Sequence, residues 1–314
     1  MFENIYIHIG SHKTGSTSIQ EFLNVNSENI AEYGYLYPTE LLKWSGTHPI
    51  AWHLGVSHPH YDPDADYEVY VKNINASKNQ NLILSSEDFE FLNEVGIVAL
   101  KSLFPAKNYH IICFLRNPYD YFVSDYSQNI KMYESRCILH PAEFYIKNKF
   151  LDRLNYTFIL DKWSRVFGEA SVVIRPYYGG IDVVSEFLDI IHLQENAYQA
   201  TPARSNVSYS PLATATLRKF NSSELTLAQH SQLKNMLSKN DQKEYYDYSL
   251  VSEQFSDIIY NDYLPSIKRF CERYNVDEAF FANKPPKGKK TITNEDVSSF
   301  MMKLVVSQLD NQGL

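Results

Sequence analysis

Residues Ile5–Gln20, IYIHIGSHKTGSTSIQ, constrain the fold of this chain more than any other stretch. An apolar run from Ile5 to Ile9 breaks into Gly10-Ser11-His12-Lys13-Thr14-Gly15-Ser16-Thr17-Ser18, after which Ile19, Phe22 and Leu23 return at helical spacing. The pattern predicts a strand, a tight loop and a helix start. The loop offers backbone N–H groups, several hydroxyls and one lysine at the positive end of a helix dipole. A phosphate or sulfate group fits there without further assumption. An ATP-type P-loop places lysine directly after its second glycine. Here Lys13 precedes Gly15 by two residues, so a kinase reading needs a rearranged motif. The alternative is an ordinary strand–helix turn rich in small polar residues.

A second segment, HIICFLRNPYDYFVSDYSQNIKM at 110–132, repeats the architecture. It predicts a strand over His110–Leu115, then Arg116-Asn117-Pro118, then a helix with Pro118 in its first turn. Ser124 lies eight residues after Arg116, about two turns into that helix. An arginine fork at a strand end and a hydroxyl on the following helix can grip one phosphate together. Alone, Arg116 reads equally well as a structural ion-pair partner.

Further strands are predicted near 35–37, 81–86 and 171–175, separated mostly by helical patterns. That order gives an α/β fold, a P-loop nucleotide-kinase-like parallel sheet flanked by helices. From Ser210-Pro211 to about Tyr274 the chain reads as helices, with Leu212, Leu217, Phe220, Leu233, Leu237, Ile259, Tyr263 and Ile267 as packing stripes. Residues 1–283 therefore form one α/β domain that turns helical from about 210. Residues 284–314 are a basic linker, KPPKGKK, and a short amphipathic helix capped by Thr293-Asn294-Glu295-Asp296. Its apolar positions Val297, Phe300, Met301, Leu304, Val305 and Leu309 are available to dock on its own domain or on a second subunit.

The two anion-directed segments resemble those of the sulfotransferases that use 3′-phosphoadenosine 5′-phosphosulfate (PAPS). In that family the first loop reads P-K-T-[GS]-[ST]-[ST] and binds the 5′-phosphosulfate. The second reads R-[DN]-P with a serine eight residues after the arginine and binds the 3′-phosphate. The matching residues are His12, Lys13, Thr14, Gly15, Ser16, Thr17 and Ser18, and then Arg116 with Ser124. His12 stands where the family often has proline, which changes loop stiffness more than chemistry. The Arg-Asn-Pro sequence is closest to the bacterial and Golgi-type carbohydrate branch. Softer echoes lie at Tyr156–Gly168, Val172–Tyr177 and Arg204–Pro211, so the resemblance extends over about residues 4–215. It implies a sulfuryl transfer from PAPS to a hydroxyl of a carbohydrate or similar acceptor, without a metal. Lys13 would then meet the charge that grows on the bridging oxygen and act as the acid there. A non-catalytic nucleotide- or glycan-binding protein on the same scaffold is the alternative from another class.

The acceptor hydroxyl needs a base. Asn81–Phe89, NLILSSEDF, runs an apolar strand into Ser85-Ser86-Glu87-Asp88, and in a parallel sheet ligands sit outside the strands' carboxyl ends. The Golgi-type resemblance also implies a glutamate base after a comparable strand, which would be Glu87. Ser86 followed by acids is equally ordinary helix-capping chemistry. His48, in GTHPIAWH, is the rival base, since histidine titrates near neutrality and some relatives use one. His48, His53, His58 and His60 lack a metal-binding spacing on one helix face. Trp52 beside His48 reads as a sugar-stacking ring or as core.

Composition sets the bounds. Of the 314 residues, 44% are hydrophobic, and no apolar stretch reaches membrane-span length. The first strand begins almost at once, so no signal peptide is expected. The three cysteines, Cys113, Cys137 and Cys271, are scattered, as in a reducing compartment. A cytoplasmic setting is expected. Twenty-nine basic against 37 acidic residues give a net charge of −8, which argues against nonspecific nucleic-acid binding and towards a neutral or weakly anionic acceptor.

Overall fold

The computed structural model describes residues 1–193 and 209–310. Contacts gather the chain into two compact units. The first takes in Met1–Asn117, Tyr156–Arg204 and Arg269–Phe280. The second takes in Pro118–Asn155, Ser205–Lys268 and Phe281–Leu314.

The first unit is built on a five-stranded, wholly parallel sheet. Its strands are β1 (Phe2–His8), β2 (Tyr35–Leu36), β3 (Asn81–Ser85), β4 (Ala106–Arg116) and β5 (Val172–Tyr177), in the order β2-β3-β1-β4-β5. All five expected strands are present. β4 starts four residues earlier than its apolar run, because polar Ala106–Tyr109 still ladders against β1, with Phe2 opposite Ala106 and Asn4 opposite Asn108. β1 is buried on both faces, as the centre of a parallel sheet must be. Alternate residues therefore face opposite layers. Tyr6, Ile83, Ile112 and Phe114 pack with Ile19, Phe22 and Leu23 of helix α1 (Ser16–Val25) and with Phe187, Leu188 and Ile191 of the helix Val183–Ile191. Ile5, Ile7, Leu82, Leu84 and Cys113 are buried on the other side.

The strand order sets where a ligand can sit. From β1 the chain goes out to β2, returns through β3, and then passes to the far side of β1 to form β4. The carboxyl ends of β3, β1 and β4 thus lie side by side at a topological switch, the place where open α/β sheets bind ligands.

The second unit is mainly helical, with Pro118–Lys131, Pro141–Lys147, Pro211–Phe220, Leu227–Asn240, most of Glu253–Tyr274, and Asn294–Asp310. Its aromatic centre includes Phe122, Phe144 and Phe150, and Arg153 is held by Asp125 at 3.0 Å and the Tyr121 hydroxyl at 2.6 Å. The C-terminal helix, expected to be short, runs 17 residues. Thr293 and Asp296 cap it reciprocally, at 2.8 and 3.1 Å. It docks within its own unit: Phe300 and Leu304 are buried and the helix packs on Pro211–Phe220. The basic linker is fastened too, with Lys287 on Asp257 at 3.2 Å and Lys290–Thr291 paired in parallel with Tyr248–Ser249. Cys113, Cys137 and Cys271 are all free and buried. No helix among the described residues is long and apolar enough to cross a membrane. Most of the sequence echo at Arg204–Pro211 lies outside the described residues.

Candidate functional site

The loop after β1 is an extension of the sheet's hydrogen bonding. Phe114 N–H donates to Gly10 O at 2.7 Å and Ser11 N–H to Phe114 O at 2.9 Å, while Ser86 N–H donates to His8 O at 3.0 Å. The loop is thus tied to β4 on one side and the turn after β3 to β1 on the other. Gly10 takes a φ of 94°, and a Cβ on it would stand 3.1 Å from Glu87 Cβ and 3.2 Å from Glu87 Cα. Only glycine meets both demands. The close approach sets Glu87 directly against the start of the loop.

Within the loop the hydroxyls divide into two sets. Thr14 is buried and its Oγ1 donates to Ser11 O at 2.5 Å, and Ser16 Oγ reaches the same carbonyl at 3.5 Å. Those two hydroxyls brace the loop. Thr17 is exposed and Ser18 partly so, in the first turn of α1. Gly15 caps that helix at φ 81°, and Lys13 also stands in the left-handed region at φ 65°.

Arg116 ends β4 and joins this loop. Its Nη1 donates to Lys13 O at 3.3 Å, and its guanidinium lies 5.6 Å from the ring centroid of Tyr177, its register partner on β5. Arg116 Nε is buried without a hydrogen-bond partner. A buried guanidine N–H in that state calls for an acceptor. Tyr156 Oη donates to the Arg116 carbonyl at 2.8 Å and fixes the strand end. The loop of Lys13 and the strand end of Arg116 are therefore neighbours within one unit. Ser124 stands on the helix Pro118–Lys131, which belongs to the second unit.

The turn Glu87–Phe91 carries a dense cluster of charge. Ser86 does cap it, accepting from Asp88 N–H at 3.1 Å. Capping by Ser86 leaves the Glu87 carboxylate available. Glu87 Oε2 accepts from Gln20 Nε2 at 2.8 Å, one helical turn beyond Ser16 on α1. His12 donates from Nδ1 to Glu90 Oε1 at 2.8 Å, and its Nε2 lies 3.8 Å from Asp88. His48 opens the helix His48–His53 and has its Nδ1 2.7 Å from Ser86 Oγ and 3.6 Å from Asp88 Oδ2. Asp88 Oδ2 also accepts from Trp52 Nε1 at 2.6 Å. Lys162 clamps the turn's backbone by donating to the carbonyls of Glu90, at 3.0 Å, and Leu92, at 2.7 Å.

These contacts shift the pKa values of Glu87 and His12. Burial alone would raise the Glu87 carboxyl, but His12 and His48 nearby and the Gln20 amide outweigh it and hold the pKa below its ordinary value. For His12, burial works against the imidazolium, and the Glu90 carboxylate, backed by Glu87 and Asp88, overcomes it and raises the pKa. The site is built to keep an ionised glutamate beside a cationic loop. His48 has only 6% of its side chain exposed, and the ring's Nε2 edge presses on Gly46.

The sequence offers Lys13, Glu87, His48 and Arg116 as candidates but not the residues that hold them. Gln20 and Ser16 lie four apart on one helix face, which was a usable signal. Nothing in the sequence linked Glu90 to His12 or Tyr177 to Arg116. Among the described residues, no group of three or more His, Cys, Asp or Glu side chains is arranged to hold a metal ion.

No family model matches the chain. An uncharacterized protein of Archaeoglobus fulgidus is 27% identical over 169 residues, 52% of this chain. The match spans 45% of that relative's length, so less than half of it. The crystal structure of a sulfotransferase from Alicyclobacillus acidocaldarius aligns at 14% identity with a TM-score of 0.49, over 88% of this chain and 97% of that one. Likeness at that level carries no inference about activity.

Proposed function

We propose that the chain is a PAPS-dependent sulfotransferase acting on a hydroxyl of a carbohydrate or similar acceptor. The observation that carries this reading is the meeting of three strand ends: Arg116 bonded to the Lys13 carbonyl, and Glu87 packed on Gly10, at one edge of one sheet. A cation, an anion-directed helix terminus and an ionised carboxylate are what an in-line transfer between two oxygens requires.

The residues present suit the donor. The first turn of α1, with Thr17 and Ser18, would hold its 5′-phosphate end. Arg116 Nε, buried without a hydrogen-bond partner, would take the 3′-phosphate. PAPS supplies an activated sulfuryl group whose departure leaves a phosphate oxyanion. Lys13 would balance that charge and carry the proton for the leaving oxygen. Glu87, kept ionised, would accept the acceptor's hydroxyl proton. His48 is enclosed, so its part would be to hold the Glu87–Asp88 turn rather than to take the proton itself.

The test begins with thermal shift of the full chain by adenosine 3′,5′-bisphosphate, compared with ATP and magnesium. Stabilisation by the bisphosphate is expected, and stabilisation by ATP–magnesium alone would make the protein a kinase instead. Transfer of labelled sulfate from PAPS to a glycan panel then separates enzyme from binder. Lys13→Ala should abolish turnover, and Arg116→Ala should weaken bisphosphate binding. Unchanged turnover in Lys13→Ala would refute the mechanism.

A further inference from the structure

Beside the acidic turn lies a group of rings that the chemistry above does not use. Lys43 and Gly46 close a two-residue turn by reciprocal backbone bonds of 2.9 and 3.0 Å. Its corner residues, Trp44 and Ser45, both take left-handed angles, φ 50° and 70°. Such a turn favours Asn-Gly, and a bulky indole there is a strained choice. The turn is nonetheless firmly held: Tyr37 Oη donates to Ser45 O at 2.6 Å, and Gly46 is wedged against His48 and Gln20. All this fixes an indole that is 58% exposed. Trp52, by contrast, is 3% exposed and tied to Asp88, an ordinary core tryptophan.

The rings form a corner. Trp52 lies parallel to His58 at 4.1 Å and 2°, and to His48 at 6.0 Å and 14°. Trp44 stands across His48, Trp52, His58 and His60 at centroid distances of 5.2 to 6.2 Å and interplanar angles of 63° to 82°. His58 Nδ1 accepts from the His60 amide at 3.2 Å, so the His58 proton is on Nε2 as a donor. Lys43 Nζ, 5.6 Å from the Trp44 centroid, adds a cation at the rim. The corner joins the catalytic candidates through Asp88, which holds Trp52 and follows Glu87 in sequence.

We propose that Trp44, with His58 and His60, forms the acceptor platform, on which a pyranose ring stacks its C–H face while its hydroxyls bond the imidazoles. Its role as acceptor site rests on the sulfotransferase reading; its affinity for sugar does not. A flat apolar acceptor asks for an enclosed apolar pocket. This surface is open, with His58 Nε2–H as a donor and His60 able to donate from one ring nitrogen and accept at the other. A ring with one apolar face and a hydroxyl edge is what matches it.

The test is saturation-transfer NMR and titration of the full chain with lactose, cellobiose and chitobiose, and with p-nitrophenol as the non-sugar probe. Each is run with and without adenosine 3′,5′-bisphosphate. At least one disaccharide should bind, with transfer concentrated on ring C–H protons. Trp44→Ala should weaken it about tenfold, and Trp44→Tyr should recover part of the loss. Bisphosphate affinity should be the same in all three proteins. If no disaccharide binds, if p-nitrophenol binds in their place, or if Trp44→Ala binds sugar like the wild type, the platform is refuted. Failure of the bisphosphate to bind wild type would overturn the sulfotransferase reading, while the sugar titrations would still judge the platform by themselves.

Discussion

One added methyl group tests how tightly the carboxylate cluster is assembled. Gly46 lies outside the left-handed region, so Gly46→Ala introduces a side chain without backbone strain. Its Cβ would stand 2.4 Å from His48 Nε2, 2.8 Å from His48 Cδ2 and 2.9 Å from Gln20 Cδ. Ordinary contact begins near 3.4 Å, so the imidazole must retreat by about an ångström. It has little room, being 5% exposed and held 2.7 Å from Ser86. Gln20 is 2% exposed and committed to Glu87. Overpacking of this kind costs about 1–3 kcal/mol. Loss of the charge-assisted bond from Gln20 adds about 1.5–3 kcal/mol if that side chain is the one to yield. With relaxation shared between them, a loss of about 2–4 kcal/mol is expected. For a chain of this length that lowers the melting temperature by about 3–6 °C. Gly179→Ala is the control, since nothing lies within 4 Å of its Cβ and its φ is not left-handed. It should melt within about a degree of wild type. Calorimetry of the two variants, with carboxyl NMR of Glu87, makes the measurement. In Gly46→Ala the Glu87 pKa should rise, as His48 and Gln20 move off. Equal melting of both variants, with the Glu87 titration unmoved, would refute the packing argument.

Three further outcomes follow from the same contacts. Burial lowers the His8 pKa to about 4, so the unfolded chain takes up its proton first, and stability falls as pH drops from about 6.5 to about 4, by about 3 kcal/mol. Urea unfolding across that range should show the stability gap between wild type and His8→Leu changing by this amount; parallel curves would exclude the effect. The raised His12 pKa has the opposite sign: its contribution is complete below about pH 6.5 and disappears as pH rises through the folded value. His12→Gln should therefore cost about 1.5–3 kcal/mol near pH 6 and less at alkaline pH, and a pH-independent cost would contradict this. Gln20→Ala removes the 2.8 Å donor from Glu87. The acid limb of kcat/KM for sulfate transfer should then move to higher pH; an unmoved limb would mean that Glu87 is not the base.

The parallel sheet was legible because each strand announces itself locally. Five apolar runs end in loops, and helical spacing follows most of them. β4 was read short for the same reason: Ala106–Tyr109 is polar, and its strand character comes from the ladder to β1 rather than from hydrophobicity. The domain reading drew on composition along the chain. The contacts that define the second unit join 118–155, 205–268 and 281–314, segments that no local pattern connects.

The sequence by itself determined the strand, loop and helix start at the N-terminus, with Gly10 and Gly15 at the loop's turns and Lys13 between them, and the arginine that closes β4. It also placed Glu87 just beyond an apolar strand. These are properties of short segments, governed by periodicity, caps and backbone freedom. Only the tertiary structure decided that β1 lies between β3 and β4, so that Glu87 touches Gly10 and Arg116 reaches the Lys13 carbonyl. It alone paired His12 with Glu90 and stood Trp44 across the ring stack beside Asp88. Such contacts follow from strand order and side-chain packing, which depend on the whole chain burying its apolar surface at once, and no window of sequence contains that information.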